Sequence, residues 1–192
     1  KNTFKVKERM YYEKENEQKV IDYKNDIIPK KDSVIDMIRV AAYVHQMPAA
    51  IDMIEDAKAK GYEVTCNIMA ISQASFNQID DALEMLGESK VDVIYLVDSY
   101  GSLFPENAAE LAKKYLEYGE KYNKKIGFHG HNNQNLAFAN TIETLSYGVS
   151  YVDATALAMG RGAGNCAMEL MLGFLKNPKY SIYSLLRFIE NY

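Results

Sequence analysis

The chain is poor in the residues that would declare a chemistry outright, with two cysteines and three histidines in 192 residues. Cys66 and Cys166 sit far apart in apolar or tightly turning segments, so their spacing makes neither a thiolate metal pair nor a disulfide framework. No apolar run approaches the roughly 18–20 residues of a membrane span. The charged start Lys1-Asn2-Thr3-Phe4-Lys5 is unlike a signal peptide. Cations are not in excess. The net charge of −4 leaves no electrostatic footprint for nucleic acid or an anionic membrane. No Gly-x-Gly-x-x-Gly follows the first β-rich run, which argues against a dinucleotide-binding fold. These absences point to a reducing cytoplasm and a small-molecule ligand.

What remains is the composition of an ordinary globular protein, 48% hydrophobic and 25% charged, long enough for one medium domain with a sizeable core. Charge divides it unevenly. Residues 1–31 carry nine Lys/Arg against six Asp/Glu, whereas the rest carries a net of −7. The first 31 residues are tyrosine- and charge-rich with little amphipathic period, and are expected to form a separate segment without an assigned role. Residues 32–192 are expected to form the catalytic domain.

From Ser33 onward a unit of β-rich run plus helical pattern recurs. The runs are Asp36–Tyr43, Tyr62–Ala70, Val91–Ser99, Lys125–His131 and Ser150–Leu157. Between them Ala50, Met53, Ile54 and Ala57 stand at i, i+3, i+4 and i+7. So do Ile79, Ala82, Leu83 and Leu86, and then Ala108, Leu111, Ala112 and Tyr115. Each series is one apolar helix face. Pro48 and Pro105 suit first helical turns, where the missing N–H costs nothing. Nearly continuous apolar strands alternating with helices predict an α/β fold with a parallel sheet. Polar residues gather at the ends of the runs, as in a (β/α)8 barrel, whose sites lie at the C-terminal ends of its strands. About five C-terminal βα units of such a TIM-type barrel are therefore expected. Five strands leave two edges and an apolar interior uncovered, predicting association with another copy or a missing barrel segment, or cover from residues 1–31.

The sharpest motif is His129-Gly130-His131, closing the run Lys125–Phe128. Residues i and i+2 of a strand face one side, so the two imidazoles converge either on a divalent metal or on ordinary strand-end hydrogen bonds. Asp98-Ser99 ends the third run, where the carboxylate either serves the site or caps the next helix. The stretch Gly160-Arg161-Gly162-Ala163-Gly164-Asn165 precedes a helix expected over Ala167–Leu175. There Arg161 suits a substrate carboxylate, and Asn165 is either a metal ligand or the helix N-cap. His45 reads as structural, and Cys166 has no neighbouring base to make it a nucleophile.

The order Ile38-Arg39-Val40-Ala41, Val97-Asp98-Ser99-x-Gly101, Gly127-Phe128-His129-Gly130-His131-Asn132 and Val152-Asp153-Ala154, then Gly160-x-Gly162-Ala163-Gly164-Asn165, resembles one family. It is that of the metal-dependent aldolase and lyase barrels, including 4-hydroxy-2-oxovalerate aldolase and 3-hydroxy-3-methylglutaryl-CoA lyase, with the aldolase branch nearer. The resemblance runs from about Ser33 to Asn177. It implies a divalent metal, Mn²⁺ or Mg²⁺, on His129, His131 and Asn165; Asp98, Ser99 and Arg161, read from their places at the run ends, are the candidates to bind an oxo-acid substrate. It implies an aldolase cleaving a 4-hydroxy-2-oxo acid to pyruvate and an aldehyde. Cys166 does not match the lyase's catalytic cysteine, which disfavours acyl-CoA chemistry. The family's Arg-Asp-Gly strand motif has no counterpart in residues 1–35, so its first three strands, with the general base, are expected to be missing. The alternatives are an isopropylmalate-synthase-like Claisen condensation, and an incomplete barrel fragment with a binding role.

Overall fold

The computed structural model describes the backbone of residues 3–7 together with residues 23–176 and 180–191. Residues 8–22 of the tyrosine-rich segment, and Asn177 at the end of the family resemblance, lie outside them. Six parallel strands form one sheet in chain order: β1 (Thr3–Lys7), β2 (Met37–Ala42), β3 (Glu63–Ile68), β4 (Val93–Asp98), β5 (Lys125–Gly130) and β6 (Tyr151–Val152). Five of these are the expected runs. The sixth is β1, which pairs in parallel with β2 from Thr3 opposite Met37 to Lys7 opposite Ala41. Its sequence Thr-Phe-Lys-Val-Lys alternates charge with apolar residues, which is why it reads as part of a charged segment.

The last strand is shorter than its apolar run. Beyond Val152 the chain makes a single parallel bridge from Thr155 to Ala167, then a 3-10 turn over Ala156–Ala158. Leu157 and Ala158 both take left-handed backbone conformations there, which no strand tolerates.

Among the described residues seven α-helices accompany the strands: α1 (Tyr23–Asp26), α2 (Met47–Ala59), α3 (Phe76–Glu88), α4 (Pro105–Tyr122), α5 (Ala137–Ser146), α6 (Met168–Phe174) and α7 (Ile182–Asn191). The three apolar series fall on α2, α3 and α4, and every residue in them is buried. Pro48 and Pro105 occupy first-turn positions of α2 and α4. Ser75 caps α3 by accepting from the Gln78 amide, and the Gln78 side chain accepts from the Ser75 amide in return.

These helices cover the outer sheet face, where Ile38, Val40, Val64, Ile68, Ile94, Leu96, Ile126 and Phe128 join one core with α2–α4. The alternate residues face the other way: Arg39, Thr65, Asn67, Val93, Tyr95, Val97 and His129. Their side is not simply apolar. Val93, Tyr95 and Val97 pack with Tyr151, and Arg39 crosses the concavity to pair with Asp153 just after β6. In a flat sheet β2 and β6 would stand about 19 Å apart, four strand spacings, far beyond the reach of these side chains. The sheet is therefore curled. Strands four apart face each other across an eight-stranded barrel, so the arrangement is a partial barrel of the TIM type.

Candidate metal and substrate site

Arg39 of β2, His129 near the end of β5 and Asp153 just after β6 come together inside the concavity. Asp153 is the centre of the group. Its two oxygens accept from the two terminal nitrogens of Arg39, with Nη2 to Oδ1 at 3.0 Å, and Oδ2 also receives Nδ1 of His129 at 2.9 Å. Burial alone would raise the Asp153 pKa. The hydrogen bonds and positive charge of His129 and Arg39 outweigh it and hold the carboxyl at about 2. At neutral pH Asp153 is thus an anion that only accepts. Nδ1 of His129 then donates to it, and in the neutral imidazole that arrangement puts the lone pair on Nε2, the form in which imidazole binds a metal or takes a proton.

The second imidazole lies alongside. The rings of His129 and His131 stand 5.1 Å apart at 76°. His131 pairs as an isolated antiparallel bridge with Asn165. The Asn165 amide nitrogen donates to the Met159 carbonyl at 2.9 Å, but its buried Oδ1 has no partner. A buried amide oxygen without a donor costs about 1–3 kcal/mol. An orphaned amide oxygen and imidazole nitrogens are donor types that suit a divalent ion drawing its remaining ligands from water or substrate. Among the described residues no group of three His, Cys, Asp or Glu could hold an ion by itself. The alternative role for Asn165 is not what the structure shows, because α6 starts at Met168 with Ala167 at its N-cap.

Asp98 turns into its own loop. Its oxygens accept from the amides of Ser102 at 3.0 Å and Leu103 at 3.1 Å, before α4, whose N-cap is Phe104. The carboxylate closes the β4–α4 connection and does not reach a helix end. Ser99 accepts from the Ala70 amide through Oγ, and its carbonyl receives Nη2 of Arg161 at 3.1 Å. Arg161 thereby joins the glycine-rich loop to the β4–α4 loop while remaining exposed. Gly101 and Gly164 are required by this packing. Each has positive φ, and a Cβ on Gly101 would lie 2.6 Å from the His131 carbonyl. His45 stacks on Tyr43 outside the cluster. Cys166 is buried beside Ala137 and Met171, where burial pushes its thiol pKa up, an environment unsuited to a nucleophile.

Arg39 and Asp153 are the residues that motif reasoning leaves without a role. Their signal is an arginine within an apolar strand and an aspartate within an apolar run, since buried charges need partners.

The profile of the HMGL-like family matches residues 38–185. The 4-hydroxy-2-oxovalerate aldolase of Thermus thermophilus is 31% identical over 156 residues, 79% of this chain and 44% of that protein. The oxaloacetate decarboxylase of Mycobacterium tuberculosis is 30% identical over 143 residues, 74% of this chain and 41% of that protein. The chain thus spans about two fifths of these relatives. Among solved structures, the N-terminal domain of a putative aldolase from Bacteroides vulgatus superposes with a TM-score of 0.68 at 28% identity, covering 88% of this chain and 62% of that one. The HMG-CoA lyase of Bacillus subtilis shares the fold, with a TM-score of 0.69 at 18% identity over 82% of this chain and 63% of that one. With a family profile covering residues 38–185, most of its length, the chain belongs to the HMGL-like family.

Proposed function

We propose that this chain carries the metal and substrate residues of an aldolase that cleaves a 4-hydroxy-2-oxo acid to pyruvate and an aldehyde. The observation that supports this most is the hydrogen bond between Nδ1 of His129 and Asp153, which turns the other ring nitrogen, Nε2, away from that carboxylate on one of two adjacent imidazoles. His129, His131 and Asn165 would hold Mn²⁺ or Mg²⁺. When bound, such an ion supplies Lewis-acid stabilisation of charge developing on a substrate oxygen. Arg161, already anchored on the Ser99 carbonyl, has further N–H donors to orient the substrate carboxylate. The Ser99 hydroxyl accepts from Ala70 and keeps its own proton to donate to a substrate oxygen. Asp98 sets the shape of the loop that presents Ser99. The general base is assigned to the part of the relatives' length that this chain does not match. The relatives' names describe reactions of 2-oxo acids, which supports that substrate class. Residues 32–192 are the catalytic unit in this proposal, acting in the cytoplasm on a small oxo acid, with the sheet edges paired to another copy or a further barrel segment. Among the described residues no helix is long and apolar enough to cross a membrane.

The test is a titration of Mn²⁺ into the chain and into its His129→Ala/His131→Ala variant. Binding by the first and not the second is expected, and equal binding removes the basis of the proposal.

A further inference from the structure

Tyr95 and Gly127 are register partners on β4 and β5. A Cβ placed on Gly127 would lie 2.7 Å from three carbons of the Tyr95 ring, inside any permissible contact. The ring therefore fills the space that a side chain at 127 would occupy. On the ring, the guanidinium carbon of Arg39 lies 4.4 Å from its centroid, within cation–π range. Burial, and then the negative charge of Asp153, push the Tyr95 hydroxyl well above the usual tyrosine range, so it stays protonated. Tyr95 is 3% exposed. Four residues, from β5, β4, β2 and the turn after β6, are thus stacked in sequence: the glycine shelf, the ring, the guanidinium and the carboxylate that holds His129.

We propose that Tyr95, seated on Gly127, is a positioning residue: its ring holds Arg39 flat, Arg39 orients Asp153, and Asp153 keeps the His129 proton on Nδ1. Its purpose rests on the metal reading above, but the tautomer it controls exists without any metal. The ring is the working part. Phenylalanine keeps the face that Arg39 lies on, whereas leucine removes it. An alanine at 127 displaces the ring without touching the charged groups.

The experiment is ¹⁵N NMR of the histidine ring nitrogens in the metal-free chain at about pH 8, above the ordinary histidine range. His129 is assigned with a His129→Gln variant, and circular dichroism checks each fold. The chain and Tyr95→Phe are expected to show His129 protonated on Nδ1, and Tyr95→Leu and Gly127→Ala a mixture of both tautomers. Mn²⁺ affinity, read by the free-ion EPR signal, is expected to fall about tenfold in the two mixed variants. Retention of the Nδ1 tautomer in folded Tyr95→Leu or Gly127→Ala overturns the proposal. Should neither fold, Tyr95→Phe decides alone, since loss of the tautomer there overturns it and retention upholds it. A chain with the expected tautomers and no Mn²⁺ binding upholds the positioning role and removes the metal reading.

Discussion

Asp153→Asn keeps the shape of the side chain and removes its charge, leaving the Arg39 guanidinium without a counterion. In the folded chain the Arg39 and Asp153 side chains are 12% and 21% exposed, so solvent replaces little of what is lost. The carboxyl titrates at about 2 instead of 3.8. At 1.36 kcal/mol per unit this is about 2 kcal/mol of stability at neutral pH. Removing one partner of a buried pair costs roughly 3–5 kcal/mol, so an overall loss of about 2–4 kcal/mol is expected. The sign with pH follows from the depressed value. The unfolded chain takes up the proton first as pH falls, so the contribution is complete above about pH 4 and is lost as pH drops toward 2. Asparagine does not titrate. Urea unfolding followed by circular dichroism, in both proteins between pH 7 and pH 2, should therefore show a stability gap that is constant near neutrality and narrows below about pH 4. A gap under about 0.5 kcal/mol at pH 7, the size of an ordinary surface substitution, would refute the argument. So would a gap unchanged down to pH 2.

Other sites give expectations that can be checked separately. Asp98→Ala strands the amides of Ser102 and Leu103 and should cost about 1–3 kcal/mol, read as a lower urea midpoint; an unchanged midpoint means water replaces the carboxylate. Ser75→Ala removes the α3 cap and should cost about 1 kcal/mol in the same assay. Leu83→Ala empties a fully buried position between α3 and the sheet, for roughly 2–5 kcal/mol. In an enzyme completed by the remaining barrel, Arg161→Ala should raise KM for an oxo acid more than it lowers kcat, and an unchanged kcat/KM would confine Arg161 to bridging the loops.

Helices α2, α3 and α4 were legible because burial follows the 3.6-residue period there, and each predicted apolar face is a buried face; α1, α5 and α7 were not expected, and α1 and α7 bury no residue that could set such a period. Strand runs were legible in position but not in length. Apolar content does not report backbone conformation, so the run through Leu157 continues past the strand into left-handed residues. β1 escaped notice because lysines interrupt its apolar residues, and a strand paired on one side needs no continuous apolar run. At the site, His129 and His131 could be paired from spacing because two residues along a strand restore the same face. Asp98 and Asn165 each had two readings, and only loop geometry separates them. The partnership of Arg39 with Asp153 depends on how far the sheet curls, which no local window contains.

That partnership joins positions 114 residues apart in the chain. During vectorial synthesis Arg39 leaves the ribosome long before Asp153, so its buried counterion does not exist while the first four strands are being made. Early compact states must keep Arg39 in water, and the concave face stays wet until β6 arrives. Closure of that contact belongs late in folding, since long loops are closed at an entropic cost that earlier contacts must offset. Substitutions at Arg39 or Asp153 should therefore accelerate unfolding far more than they slow folding, and nascent chains halted before residue 153 should lack an ordered concave face around His129 altogether.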